Sequence, residues 1–178
     1  YSGRLEHIKG VHHLLQAVKI LAEKHGINVK LKLAGNGNEK YILELKNYCS
    51  ENNLNGIEFM GNLNKQELFK HIRESVFSVI PSLCYDNLPN SALESLSLGT
   101  PLIAPAHGCF PEVVKEKETG FLFEPGNTDD LAVKMKFLLD NPKLCSEMGY
   151  RAITYIKENH SPENHYVSLM DLINKIKQ

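Results

Sequence analysis

No stretch of this 178-residue chain approaches the roughly 18 apolar residues that a membrane-spanning helix needs. Nor does a basic segment followed by a greasy run open it, so no secretory leader is read here. Cysteine is sparse: Cys49, Cys84, Cys109 and Cys145 are scattered, with no C-x-x-C pair. That argues against structural zinc and for free, mostly buried thiols in a reducing cytoplasm. An excess of one charge is also missing. Lys plus Arg is 20 and Asp plus Glu is 21, for a formal net charge of -1. A nucleic-acid partner, which needs a clustered basic surplus, is therefore not expected. The histidines show no H-E-x-x-H or other metal spacing, so no resident metal or cofactor is expected. No G-x-S-x-G nucleophile elbow appears.

What is present has the composition of a globular domain, with 42% hydrophobic and 23% charged residues. The length suggests one domain over residues 1–178. The chain opens at Tyr1-Ser2-Gly3-Arg4, which reads as the middle of a strand, so the expectation is a piece of a longer protein.

Helical and strand patterns alternate from end to end. Lys9–Lys24 carries the stripe Val11, Leu14, Leu15, Val18, Leu21 and Ala22, and a second helix runs through Ile42, Leu45, Tyr48 and Cys49. Helices are also predicted over Lys65–Glu74 and Asn90–Leu98. Strands are predicted at the N-terminus and over Asn28–Ala34, Gly56–Met60, Phe77–Ile80, Pro101–Ala104 and Gly120–Phe123. Three helices close the chain. The first is capped at Asn127 or Thr128, and the second spans roughly Lys143–Asn159. The third starts at Ser161-Pro162, with Tyr166, Leu169, Met170, Ile173 and Ile176 expected to pack into the core. The sum is an α/β fold, a Rossmann-like parallel sheet of about six strands with helices on both faces. Such sheets bind ligands at the carboxyl ends of their strands.

The loops after the strands are therefore the candidates. In Gly3-Arg4-Leu5-Glu6-His7-Ile8-Lys9-Gly10, two cations flank a helix N-terminus, an arrangement suited to a diphosphate. The competing reading is a pair of solvated charges balanced by Glu6. Gly35-Asn36-Gly37 lacks the third glycine of a dinucleotide fingerprint, because Lys40 holds that position, and it reads as a tight turn. The third loop leads from Pro81 through Asp86 into a short helix with Asn90 as its expected N-cap. Between Asp86 and Glu112 the only formal charge is Glu94. A carboxylate on a helix of Ala, Leu and Ser needs a partner, and the two hydroxyls of a ribose are a good one. The competing readings are an ion pair with a distant cation, or simple exposure. His107, in the loop after the fourth internal strand, is a weaker candidate for ligand contact.

Quoted as they stand, YSGRLEHIKG, LKLAGNGNEKYILEL, IEFMGNL, SVIPSLCYDNLPNSALESLSLGTPLIA, HGCFPEVV, ETGFLFEPGNTDDLA and LLDNP together resemble the C-terminal half of the group-1 family of retaining glycosyltransferases with the GT-B fold. The specific element is a pair of acids eight positions apart, here Asp86 and Glu94. The resemblance implies that Gly3, Arg4 and Lys9 hold the donor diphosphate and that Glu94 binds the ribose. It also implies that Asp86, Asn87, Leu88, Pro89 and Asn90 lie against the donor sugar and phosphate, and that Gly61, Asn62 and Leu63 read the nucleobase. Asp86 stands where Glu is more usual, and Asp-Asn-Leu-Pro-Asn replaces a commoner Glu-Gly-Phe-Gly wording. The implied activity is transfer of a hexose from a UDP-, GDP- or ADP-sugar to a glycan or lipid-linked acceptor. No catalytic residue is assigned within this chain. An N-terminal acceptor-binding domain supplies the other half, and the whole enzyme is placed in the cytoplasm or at the membrane face. The alternatives are a non-catalytic nucleotide-binding module and a fragment of a GT-B nucleotide-sugar epimerase.

Overall fold

Leu31 and Leu33 point to one face of a strand and are buried, while Lys32 between them is exposed. That period of two defines β1 (Leu31–Ala34) in the computed structural model, which describes residues 1–176. The strands that follow are β2 (Ile57–Gly61), β3 (Ser78–Val79), β4 (Leu102–Pro105) and β5 (Gly120–Phe123). β1 pairs with β2 in one sheet, and β3, β4 and β5 pair in that order in a second. Every one of these pairings is parallel.

Parallel neighbours need long crossovers, and helices supply them. These are α1 (Val11–His25), α2 (Glu39–Glu51), α3 (Lys65–Arg73), α4 (Asn90–Ser97) and the short α5 (Phe110–Val113). The chain closes with α6 (Thr128–Asp140), α7 (Pro142–Asn159) and α8 (Pro162–Ile176). Local chemistry sets several starts. The Asn38 side chain accepts from the Lys40 and Tyr41 amides, Asn64 and Glu67 form a capping box, and Asn127 caps α6 through the Asp130 amide.

β4 lies at the centre of the second sheet and is buried along its whole length. Its alternation serves two cores. Ile103 joins α1, α6 and β1 residues such as Leu14, Leu15, Leu33 and Met135. Leu102 and Ala104 face the other way, onto Ala92 and Leu96 of α4, Phe110 of α5 and Ala152 of α7. Burial on both faces is what a parallel sheet requires.

Two expectations are corrected. The count is five strands in two sheets, not about six in one. The N-terminal segment makes only two isolated parallel bridges to the β1 region, Ser2 to Ala34 and Leu5 to Gly37. A bend at Gly3, with φ +150, separates those bridges, so no continuous ladder forms. The second correction concerns α8. Tyr166, Leu169, Met170 and Ile176 are exposed rather than core, and no residue of α8 is buried. A helical period shows that a face exists, not that anything covers it. Sequence patterning also passed over α5, which at four residues is too short to show a period.

One glycine holds the first loop against the second sheet. Gly10 has φ +68, and a Cβ there would lie 1.9 Å from the Pro81 carbonyl oxygen. The left-handed backbone alone costs an alanine roughly 1–2 kcal/mol, before the clash with an unyielding backbone atom. Gly10→Ala is expected to lower unfolding stability by more than about 2 kcal/mol, read from the urea midpoint; an unchanged midpoint would show that this approach is not tight.

Candidate functional site

The loops after β1, β2 and β3 share one edge of the molecule, at the carboxyl ends of the strands. The N-terminal segment lies between the two sheets. The Gly3 and Leu5 amides donate to the Ala34 and Asn36 carbonyls on one side, and Ile8 accepts from the Leu83 amide on the other. Gly35 allows the first of these approaches: at φ +133, a Cβ there would sit 1.9 Å from the Gly3 carbonyl oxygen.

Ser2, Gly3, Arg4, Gly35, Asn36, Asn62 and Leu63 line an open pocket of ≈ 290 Å³. The candidate diphosphate loop and the candidate base-reading turn thus meet at one cavity. A larger cleft of ≈ 380 Å³, lined by Tyr1, Val29, Phe77 and Leu139 among others, lies by the amino ends of β1 and β3. Parallel sheets place ligands at the opposite edge.

The two basic residues behave differently. Arg4 is solvent-exposed and its Nη1 lies 3.0 Å from Glu6 Oε1, the surface pairing weighed as its competing reading. Lys9 ignores Glu6 and is mostly buried. Its Nζ donates to Asp86 Oδ1 at 2.7 Å, and Cys84 Sγ lies 3.2 Å away. Ser82 Oγ donates to the second carboxylate oxygen, Oδ2, at 3.0 Å. Burial pushes the Asp86 carboxyl up, but the hydrogen bonds from Lys9, Cys84 and Ser82 outweigh it and hold it below the ordinary carboxylate range. For Lys9 burial acts downward, and the hydrogen bonds and charges of Asp86 and Cys84 together more than reverse it.

α4 begins one residue earlier than anticipated, with Pro89 as N-cap and Asn90 as the first helical residue. No side chain caps it. Among the described residues, the amides of Asn87, Leu88, Asn90 and Ser91 make no hydrogen bond. Asn87, Leu88 and Asn90 are exposed and Pro89 is half-buried. Glu94 is also half-buried, and among the described residues its carboxylate has no hydrogen-bond or ion-pair partner. The distant cation offered as one reading of Glu94 is therefore not found there. His107 braces the same loop. Its Nε2 lies 3.1 Å from the Ser82 carbonyl oxygen, and its ring lies 4.8 Å from that of exposed Tyr85. A carbonyl only accepts, so Nε2 carries the proton.

Sequence reasoning missed Ser82 and Cys84. A Ser directly after a strand-ending Pro looks like a loop residue, and only burial reveals it as a partner of Asp86. Among the described residues, no three of His, Cys, Asp and Glu come together in a way that could hold a metal ion.

The family model for group 1 glycosyl transferases matches residues 1–155. The chain belongs to this family. An uncharacterized glycosyltransferase of Methanocaldococcus jannaschii is 32% identical over 160 residues, 89% of this chain and 38% of its own length. An MMP alpha-(1->4)-mannosyltransferase of Mycolicibacterium hassiacum is 34% identical over 146 residues, covering 80% of this chain and 34% of that protein. This glycosyltransferase chain thus spans well under half the length of the curated relatives it matches. Among solved structures, Anabaena HepE in complex with UDP superposes with a TM-score of 0.85 at 19% identity, over 95% of this chain and 46% of that one. The C-terminal domain of a group 1 glycosyl transferase, LpcC, from Francisella tularensis gives 0.80 at 21% identity, over 90% and 84%. The α/β architecture is that of GT-B glycosyltransferases.

The Lys9–Asp86 pair makes a testable statement about pH. Asp86 has a depressed pKa in the folded chain, so its contribution to stability is present above the unfolded carboxylate value and lost as pH falls through the folded one. Asp86→Asn is expected to cost about 1–3 kcal/mol at pH 7, the range for charge-assisted hydrogen bonds. The gap between wild type and variant should narrow as the pH is taken down through the carboxylate range. Urea unfolding at stepped pH measures it, and a constant gap would show that ionisation of Asp86 is not what stabilises the fold.

Proposed function

We propose that this chain is the nucleotide-sugar-binding half of a retaining, metal-independent hexosyltransferase. The whole enzyme moves a hexose from a UDP-, GDP- or ADP-sugar to a glycan or lipid-linked acceptor held by an N-terminal domain. The observation that carries this reading is the Lys9–Asp86 bond, which ties the cation-bearing loop to the loop leading into α4, with its uncapped amides and the unpartnered Glu94 carboxylate.

Each part has a chemical role in that reading. Arg4 trades its exposed contact with Glu6 for the donor diphosphate, where a planar fork suits two phosphate oxygens. Lys9 adds a point charge, and the amides of Asn87, Leu88, Asn90 and Ser91 add neutral donors at the positive end of α4. Together they stabilise the charge that collects on the leaving diphosphate as the anomeric bond breaks. Asp86 accepts from donor-sugar hydroxyls. Asn62 and Leu63 border the pocket assigned to the base, and Gly61 precedes them at the end of β2. Glu94 accepts from the two ribose hydroxyls, which explains a half-buried carboxylate with no internal partner. The UDP bound to the HepE structure supports a nucleotide donor, and the mannosyl transfer in the name of the Mycolicibacterium relative supports a hexose. No nucleophile is assigned to this chain, so a double-displacement scheme with two carboxylates is not part of the reading.

Glu94→Gln is the sharpest test, because it keeps the shape and removes the charge and one acceptor. A charged acceptor is worth about 1.5–3 kcal/mol against roughly 1 for a neutral one, so ribonucleotide affinity should fall by about tenfold. A 2′,3′-dideoxy nucleotide should bind wild type and variant alike. Equal loss for both nucleotides would mean that Glu94 acts through structure, and no loss would remove it from the site. In the same reading the 178-residue chain binds donor but does not transfer sugar. Turnover at about 1 per second or faster with donor and acceptor present would contradict that division of labour.

A further inference from the structure

Among the described residues, four polar side chains are buried to 1% exposure: Ser82, Ser95, Thr100 and Thr119. Three of them serve the backbone. Ser95 Oγ donates to the Thr100 carbonyl at 3.0 Å, Thr100 Oγ1 donates to the Ile72 carbonyl at 2.7 Å, and Thr119 Oγ1 accepts from the Lys115 amide at 3.0 Å. Such bonds fix turns and helix ends. Ser82 differs, because its hydroxyl proton goes to a carboxylate at the candidate site.

The geometry gives that bond a purpose. A carboxylate held through one oxygen can turn about its own axis. Lys9 and Cys84 both hold Asp86 by Oδ1, and Ser82 holds Oδ2, so the bonds on the two oxygens together fix the carboxylate plane. Ser82 is itself immobilised. It follows buried Pro81 at the end of β3, its carbonyl takes the His107 ring, and its oxygen also receives the Cys84 amide at 3.4 Å. Asp86 remains part-exposed; Oδ1 already accepts from Lys9 and Cys84, while Oδ2, which accepts from Ser82, keeps capacity for one more donor.

We propose that Ser82 is a positioning residue that aims the Asp86 carboxylate at the donor sugar and so sets the preference for a nucleoside diphosphate that carries a sugar over one that does not. The proposal rests on the reading of Asp86 as the sugar-facing acid. A bare nucleoside diphosphate brings no sugar hydroxyl to Asp86, and its terminal phosphate adds negative charge beside a fixed carboxylate. An intact donor supplies a hydroxyl donor to Oδ2. A carboxylate aimed in this way therefore helps donor to bind and product to leave. Without Ser82 the Asp86 plane is free to turn, and the distinction fades.

The test compares dissociation constants of the chain for UDP and UDP-glucose, GDP and GDP-mannose, and ADP and ADP-glucose. The pair that wild type binds best is then carried through Ser82→Ala, Asp86→Asn and the double variant. Ser82→Ala should reduce the sugar preference about fivefold, the loss of roughly one hydrogen bond. Asp86→Asn should abolish the preference, and Ser82→Ala should change nothing further in that background. Ser82→Cys, of similar size and with a weak donor, should fall between wild type and Ser82→Ala, and it keeps the test open if the alanine variant unfolds. A second readout needs no nucleotide. Carbon-13 titration of the Asp86 carboxyl should move its midpoint upward in Ser82→Ala, with Lys9 and Cys84 still in place. Equal weakening toward bare and sugar-bearing nucleotide, additivity with Asp86→Asn, or an unmoved Asp86 titration would each overturn the role. If wild type binds none of the six nucleotides, the donor-site reading falls and the sugar preference falls with it. If wild type binds and Ser82→Ala keeps the wild-type ratio, only the Ser82 role is lost.

Discussion

Parallel pairing is the constraint from which the rest of this structure follows. A strand whose neighbours all run the same way must be joined to them by crossovers, and the helices that make those crossovers cover both faces of the sheet. β4 therefore has no solvent face: Ile103 packs into one core while Leu102 and Ala104 pack into the other. The same arrangement places the outgoing loops of β1, β2 and β3 at one edge. A pocket bordered by Gly3, Arg4, Asn36, Asn62 and Leu63 arises from segments far apart in sequence because their strands end together.

Charge is distributed at that edge in a way suited to exchange. Lys9 and Asp86 satisfy each other in the half-dry interior of the loop, while Arg4 is paired only at the surface. A surface pair such as Arg4–Glu6 contributes little to stability and is easily given up to a better anion. The Lys9–Asp86 pair is different. It ties the first loop to the third across the junction of the two sheets, and removing either partner leaves a charge poorly solvated. In the proposed function, structural support and donor recognition meet in one ion pair, whereas Glu94 is left without an internal partner.

Much of this was legible beforehand where local rules are strong. The strand Gly120–Phe123 and the caps at Asn127 and Ser161 follow from alternation and capping chemistry alone. So does the placement of the Asp86–Asn90 loop before a short helix, whereas the helix expected from Lys9 begins at Val11, after Gly10. Patterning faltered where a feature depends on distant neighbours. The N-terminal segment has strand character, yet it bridges β1 at only two points. α8 has an apolar stripe, yet none of it is buried. Asn90 looks like a cap, yet the turn at Pro89 takes that position.

The amino-acid sequence by itself determined the α/β alternation, the residues that bear charge near the strand ends, and the spacing of Asp86 and Glu94 that marks the family. These are properties of period, composition and interval, and they need no knowledge of what packs on what. Tertiary structure alone decided which cation meets which acid. Glu6 is the nearer partner in sequence for both Arg4 and Lys9, but Lys9 reaches across 77 positions to Asp86. It also decided that Ser82 is buried against Asp86 and that Glu94 stands unpaired. Such facts depend on which loops are brought to one edge, and a hydrogen bond between segments distant in sequence leaves no periodic trace in either.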